Sequence, residues 1–178
     1  MQFFGQSDYD NHEKVVFINN KASGLKAIIA IHNTALGPAL GGCRMYPYAN
    51  ENAALTDALR LSRGMTYKSA MAGLPLGGGK SVIIGNPVSD KSDALFNAMA
   101  HAVNDLNGDY IVAQDSGTSV ADMLTMKAST AHIAGGDSIE NEYGEQQLLA
   151  PSPSTALGVF KDLRPLRNFG LAKAASVA

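Results

Sequence analysis

The feature that most constrains the fold is a run of glycines, Gly77-Gly78-Gly79, between a helical pattern and a short apolar run. Upstream, from Asn52 to about Lys68, apolar residues recur at three-to-four spacing, which is typical of an amphipathic helix. Those residues are Ala54, Leu55, Ala58, Leu59 and Met65. Downstream, residues 80–85 read as a short buried strand. The sequence therefore predicts a helix, a glycine loop and a buried strand in that order.

The remaining elements point to the same fold class. The sequence predicts strands at 14–18 and 25–31, a helix with apolar residues from Leu95 to Leu106 and Ser89 or Ser92 as its cap, a strand at 110–113, a helix at 119–128, a strand starting at Ile133 and a loop at 137–153. Strands first, then strands alternating with helices, indicate an α/β fold. We expect a mixed sheet flanked by helices, antiparallel at its start and partly parallel later.

Size and charge limit the classes of partner. A chain of 178 residues with 46% hydrophobic and 17% charged residues is typical of a globular protein with about one domain. A net charge of −2 offers no clustered cations for nucleic acid or an acidic membrane. We therefore expect neither as a partner.

The cysteine and histidine content indicates the compartment and argues against a metal site. The single cysteine, Cys43, cannot form an internal disulfide, and no window approaches the ~18 apolar residues of a membrane helix, so we expect a cytoplasmic protein. The four histidines have no short metal-ligand spacing, and no metal is expected.

A phosphate-binding loop is the first alternative for the glycine run, because Gly79-Lys80-Ser81 matches its last three positions. The pattern requires a glycine where this chain has Leu74. A phosphate-binding loop also runs from strand to helix, whereas here the helix comes first. This alternative is rejected.

Three ionisable residues keep two interpretations each on residue grounds alone. Lys80 is either a solvated surface charge or a base, since a lysine held beside apolar segments can lose its proton. Lys68 is either a ligand-binding cation or a charge that the helix dipole favours near a helix end. Asp115 follows a predicted strand and is either an acid–base group or a turn former.

Three ordered motifs carry a resemblance to a known family. They are the segments 36–45 (LGPALGGCRM), 65–81 and 113–118 (AQDSGT). Together they resemble the N-terminal domain of the leucine, phenylalanine and valine dehydrogenase family, over roughly residues 10 to 160. The resemblance implies NAD-dependent oxidative deamination of an L-amino acid to a 2-oxo acid and ammonia, in a homo-oligomer built largely through this domain.

The resemblance also implies roles for single residues. Lys68 matches the lysine that grips the substrate carboxylate, with Gly41 and Gly42 offering close backbone approach. Lys80 matches the general base that activates water, and Asp115 matches the carboxylate that binds or deprotonates the amino group. Two neighbouring cations and an incoming ammonium favour an ionised Asp115, while Lys68 and the loss of water favour a neutral Lys80.

Substrate choice follows from the same resemblance. Leu40 and Ala113 match positions that line the side-chain pocket, and an apolar pair there suits a branched aliphatic side chain. A glutamate-specific relative would place an extra lysine nearby, yet the only cations between Leu55 and Tyr67 are Arg60 and Arg63. We therefore expect an apolar amino acid and disfavour glutamate.

The C-terminal segment departs from the family pattern. No G-x-G-x-x-G turn of a dinucleotide-binding (Rossmann) domain occurs in the 178 residues, and Pro165 stands where the family continues a helix. We expect residues 1–150 to form the substrate-binding, catalytic and oligomerisation domain, and residues 151–178 to hold the start of a hinge helix and an atypical truncated tail. No residue here is assigned to NAD. The alternative function is a non-catalytic assembly or regulatory module.

Overall fold

The computed structural model describes residues 4–135 and two short strands, Ser138–Glu140 and Gln146–Leu148. The chain separates into two compact units, residues 1–136 and 137–178. The predicted boundary at residue 150 and the predicted hinge and tail lie outside the described residues and stay predictions.

A six-stranded mixed sheet forms the first unit. Its strands are β1 (Lys14–Asn20), β2 (Leu25–Asn33), β3 (Ala39–Tyr46), β4 (Gly77–Ile84), β5 (Tyr110–Gln114) and β6 (Ile133–Ala134), in the order β1-β2-β4-β3-β5-β6. β2 is antiparallel to both β1 and β4, whereas β4, β3, β5 and β6 run parallel. The predicted α/β class, with an antiparallel start and a parallel remainder, is confirmed.

Three helices flank this sheet: α1 (Glu51–Met71), α2 (Asp93–Asn104) and α3 (Val120–Lys127). Each begins at a side-chain cap, because Asn50, Ser92 and Ser119 accept a hydrogen bond from a backbone N–H in the first turn. Ser92, rather than Ser89, is therefore the cap of the second helix. None of the described helices is long and apolar enough to cross a membrane.

The two faces of the sheet bury different sets of side chains. On one face α1 packs its buried residues on β2 and β4; this cluster contains Ile28, Ala30, Ala54, Leu55, Ala58, Leu59 and Val82. The larger core on the other face joins the sheet to α2 and α3. Residues of β3 and β5 alternate between buried and half-buried, so α1 leaves part of its own face open above these two strands.

The glycine run lies in a strand rather than in the loop expected from the sequence. None of Gly77, Gly78 and Gly79 has a positive φ, and all three belong to β4. A Cβ on Gly78 would lie 2.1 Å from the backbone nitrogen of Thr66 on α1, and one on Gly79 would lie 2.7 Å from the ring of Tyr110. The missing side chains thus allow a helix and an aromatic ring to pack on opposite faces of β4.

Two further expectations need correction. The strand β3 was not predicted, because its Gly41-Gly42 pair lowers the β-propensity of the segment. Hydrogen-bonded pairing with β4 on one side and β5 on the other stabilises the strand despite this low propensity. The predicted loop at 137–153 is wrong in part. Ser138–Glu140 and Gln146–Leu148, named β7 and β8, pair as antiparallel strands.

Candidate active site

Lys80 and Asp115 meet above β3. Lys80 lies on β4, two residues before Val82, so its side chain projects to the face that α1 covers. Asp115 follows the last residue of β5, on the other side of β3. The Lys80 ammonium contacts the Asp115 Oδ2 in an ion pair, with the two side chains 7% and 23% exposed.

Gly42 makes this contact possible. It lies on β3 between the two strands that carry the pair, and a Cβ there would approach the Asp115 Cβ to 2.6 Å and Oδ2 to 3.1 Å. Neighbouring strands are about 4.8 Å apart, so Lys80 and Asp115 must reach toward each other across a whole strand. Any side chain at position 42 would occupy that space.

A tight turn fixes Asp115 on its strand. The Asp115 backbone N–H donates to the Thr118 hydroxyl oxygen at 3.0 Å, and the Thr118 N–H donates to the Asp115 carbonyl at 3.0 Å. Gly117 within the turn has a φ of +81°, and a Cβ there would meet the Met45 carbonyl at 1.9 Å. The turn-forming interpretation of Asp115 therefore holds for its backbone, while its carboxylate is free to face Lys80.

The other expected site residues lie on the same face of the sheet, with one exception. Leu40 and Ala113 are half-buried, and each alternates with residues of the larger core on the opposite face. Lys68 lies in the last turn of α1, exposed; Thr66 of that helix packs on Gly78, two residues before Lys80. Gly41 faces the opposite side, where its carbonyl accepts the Tyr110 hydroxyl at 2.9 Å.

Arg44 is a site residue to which the sequence analysis assigned no role. Its Nη1 donates to Asp57 Oδ2 of α1 at 2.7 Å, and its Nε lies 3.7 Å from Asp115 Oδ2. Asp57 also accepts the Tyr48 hydroxyl at 2.7 Å and contacts Arg60 at 3.2 Å. Burial alone would raise the pKa of Asp57, but hydrogen bonds from Tyr48 and Arg44 hold it below its usual value.

An open cavity of about 540 Å³ lies beside this network. Its lining includes Arg44, Tyr48, Asp57, Arg60 and Ser116, the residue directly after Asp115. The cavity therefore adjoins the Lys80–Asp115 pair on the side of the arginines.

His12 and His32 come together although twenty residues separate them, with ring centroids 4.9 Å apart. His12 Nδ1 accepts the Asp10 N–H at 3.2 Å, so Nε2 carries the hydrogen and faces the Leu59 carbonyl at 3.0 Å. Burial lowers the pKa of His12, against the hydrogen bond to Leu59. Among the described residues, no group of three or more His, Cys, Asp or Glu side chains could hold a metal ion.

Comparison with known proteins assigns this chain to a family. Residues 12–132 match the model of the Glu/Leu/Phe/Val dehydrogenase dimerisation domain. The chain belongs to the Glu/Leu/Phe/Val dehydrogenase family. The matched range contains every residue of the site described above, from His12 to Asp115.

Several curated relatives are amino-acid dehydrogenases. The chain is 52% identical over 164 residues to a leucine dehydrogenase of Geobacillus stearothermophilus, covering 92% of this chain and 43% of that protein. It is 51% identical to a valine dehydrogenase of Streptomyces virginiae, covering 89% and 43%. It is 50% identical to a phenylalanine dehydrogenase of Caldalkalibacillus thermarum, covering 89% and 41%. The chain thus spans less than half the length of these relatives.

Solved structures agree with the fold. The L-tryptophan dehydrogenase of Nostoc punctiforme matches with a TM-score of 0.67 and 52% identity, over 69% of this chain and 37% of that one. A glutamate dehydrogenase of Peptoniphilus asaccharolyticus matches with a TM-score of 0.58 and 26% identity, over 66% and 32%. The relatives named here are all amino-acid dehydrogenases, and their names give different amino acids as substrates.

Proposed function

We propose that this chain is the substrate-binding and catalytic part of an NAD-dependent dehydrogenase that oxidatively deaminates an apolar L-amino acid. The observation that carries the proposal is the buried contact between Lys80 and Asp115, brought together above Gly42 from two strands. A mainly buried ion pair costs desolvation energy, and a fold that needed only stability would gain as much from apolar side chains. The pair is therefore better explained by chemistry.

The proposed site binds the amino acid at its two charged groups. The Lys68 ammonium holds the substrate carboxylate by a charge-assisted hydrogen bond, and the backbone of Gly42 approaches closely because it has no side chain. The Asp115 carboxylate receives the substrate ammonium and so competes with Lys80 for the same oxygen. Gly41 faces the opposite side of the sheet, so in the proposed site it contributes only through its backbone amide.

Lys80 is the proposed general base. Once the substrate ammonium occupies Asp115, Lys80 loses its counter-ion in a site where its side chain is 7% exposed. A neutral Lys80 accepts a proton from the water that attacks the imine carbon. It then returns that proton to the nitrogen of the carbinolamine. As the C–N bond breaks, Lys80 accepts the proton of the carbinol hydroxyl, so that the 2-oxo acid forms while Asp115 holds the leaving ammonia.

NAD, the proposed cofactor, supplies the hydride acceptor when bound. No described residue is assigned to it, and the sequence contains no dinucleotide-binding turn. The contribution of this chain is to orient the Cα–H bond of the substrate, since two contacts at its carboxylate and amino groups leave it little rotational freedom.

The preference for the substrate's side chain follows from the half-buried residues of β3 and β5 that lie beside Lys80 and Asp115. Leu40 and Ala113 offer apolar surface on the face that carries Lys80, and nothing cationic among the described residues of β3 and β5 other than Arg44 faces it. Arg44 is already held by Asp57. We therefore propose leucine or another branched aliphatic amino acid as substrate, and disfavour glutamate.

A second candidate function is assembly without catalysis. The matched family model is described as a dimerisation domain, and this description favours a homo-oligomer formed through residues 12–132. A solution mass that is a multiple of 18.6 kDa is then expected from light scattering of the chain. A monomer at all concentrations would contradict the proposed assembly.

The catalytic proposal is tested by NADH formation from amino acids. The chain is joined to the part of the Geobacillus stearothermophilus leucine dehydrogenase that it does not match, and assayed at alkaline pH with L-leucine, L-valine, L-phenylalanine, L-glutamate and D-leucine. We expect turnover of the apolar L-amino acids and at least about tenfold less with glutamate, whose carboxylate would be buried against Leu40 and Ala113. Absence of turnover with all five would leave only the assembly function.

A further inference from the structure

One nitrogen of Arg44, Nε, has a position that the packing of the fold alone does not explain. Its Nη1 donates to Asp57, which lies on α1 and also accepts the Tyr48 hydroxyl. Its Nε is buried without a hydrogen-bond partner, and the nearest acceptor is the Asp115 Oδ2 at 3.7 Å. A buried, unpaired donor is costly, so its position calls for a reason beyond packing.

The direction of the guanidinium follows from its anchor. Asp57 fixes the Nη1 end at 2.7 Å, and because the guanidinium is planar, the Nε edge then points toward the turn that carries Asp115. Arg44 lies on β3 two residues after Gly42, so its side chain projects from the same face of the sheet. The carboxylate of Asp115 therefore lies between two cations, Lys80 and Arg44.

These two cations differ in one chemical property. A lysine can release its proton in a protein site, whereas an arginine stays charged over the whole working range of pH. In the proposed reaction the substrate ammonium replaces Lys80 as the partner of Asp115, so a second cation is required to hold the carboxylate in place. A permanent cation beside Asp115 meets this requirement, and only Arg44 among the described residues provides it.

We infer that Arg44 is a positioning residue, which holds the Asp115 carboxylate oriented toward the substrate amino group while Lys80 acts as the base. This inference rests on the proposed function. It assigns to the Asp57–Tyr48 network a purpose as well: that network holds the guanidinium so that Nε faces the carboxylate. Burial lowers the pKa of Arg44, but its hydrogen bond to Asp57 and the charge of Asp115 raise it above the usual value, consistent with a permanent cation.

The test separates ligands with and without an ammonium group. Binding of L-leucine and of 4-methylpentanoate, which has the same carboxylate and side chain but no amino group, is measured on the chain by ¹H–¹⁵N NMR titration, a method suited to millimolar affinities. Arg44→Gln keeps an amide donor for Asp57 and removes the charge. Arg60→Gln is the matched control, because Arg60 contacts the same Asp57 at 3.2 Å, forms no ion pair with Asp115 and has a side chain 61% exposed.

We expect Arg44→Gln to weaken L-leucine binding about tenfold, as is typical for coupled residues of one network, and to leave 4-methylpentanoate binding within about twofold. Arg60→Gln should change neither. Equal weakening of both ligands in Arg44→Gln, or no weakening of either, would overturn the positioning role while the proposed function stands. Binding of neither ligand by the unaltered chain would instead overturn the proposed function and this inference together.

Discussion

At the scale of single residues, Gly42 decides whether the site can form. It is the residue of β3 over which Lys80 and Asp115 meet, and a methyl group there would lie 2.6 Å from the Asp115 Cβ. The contact between Lys80 and Asp115 thus depends partly on the absence of a side chain at position 42. The resemblance implies that Gly42 allows close approach of the substrate; the structure adds that it makes room for the contact between Lys80 and Asp115.

Lys80 and Asp115 were identifiable from the sequence only through the resemblance to a family. On residue grounds each had a second interpretation, as a surface charge and a turn former, because 35 positions separate them and spacing does not reveal which strands become neighbours. Arg44 and the His12–His32 contact were not assigned for the same reason. Their partners, Asp57 and Thr66, lie on α1, and only the tertiary fold brings them close.

The His12 ring gives a prediction about pH and stability. Protonation would place a hydrogen on Nδ1 against the Asp10 N–H, beside His32 and Arg63, and burial already lowers the pKa of His12 below 6.5. A lowered pKa means that the unfolded chain binds the proton more tightly, so the stabilising contribution is complete above pH 6.5 and is lost as the pH falls. The free energy of unfolding should therefore decrease between pH 7.5 and pH 5.5.

His12→Gln is the matched variant, because its amide can still donate to the Leu59 carbonyl but does not titrate. Denaturant unfolding at the two pH values should show a smaller decrease in this variant than in the unaltered chain. An equal decrease in both would mean that His12 makes no contribution to the pH dependence.

At the scale of elements, α1 and β4 form the contact on which the site is built. The sequence predicted α1 well because its apolar residues keep a helical period over several turns. It predicted β4 only from residue 80, since three glycines resemble a loop when their neighbours are unknown. The packing of Thr66 and Tyr110 on opposite faces explains why glycines occupy a strand here, and that information is tertiary.

Two glycine-to-alanine variants test this contact. In Gly78→Ala the new Cβ would lie 2.1 Å from the Thr66 nitrogen and hydroxyl oxygen, so α1 must shift from β4. We expect the free energy of unfolding to fall by about 1–3 kcal/mol, as for other overpacked cores. Thermal and denaturant unfolding measure the change.

Gly64→Ala is the matched control, because it lies within α1 and an added Cβ meets nothing within 4 Å. Alanine favours a helix over glycine, so this variant should gain about 0.5–1 kcal/mol. A Gly78→Ala variant as stable as Gly64→Ala would show that α1 does not pack on β4 as described.

At the scale of the whole molecule, helices cover the two faces of the six-stranded sheet to different extents. One face is sealed by α2 and α3, and the other is covered by α1 over β2 and β4 but left half-open over β3 and β5. The site lies in that open part. The α/β class and the family could be predicted from the sequence. The uncovered part of the sheet over β3 and β5 could not, because it depends on how far α1 extends across the sheet.

The central claim is that Lys80 is the base of an amino-acid dehydrogenase. The most direct measurement is the rate of NADH formation from L-leucine by the joined protein described above, comparing Lys80→Gln with Lys21→Gln, a variant of an exposed lysine in the turn between β1 and β2. Unfolding curves of both variants establish that each is folded. We predict a loss of at least about 100-fold in kcat for Lys80→Gln, the usual effect of removing an acid–base group, and no loss for Lys21→Gln. Equal rates in the two folded variants would contradict the account.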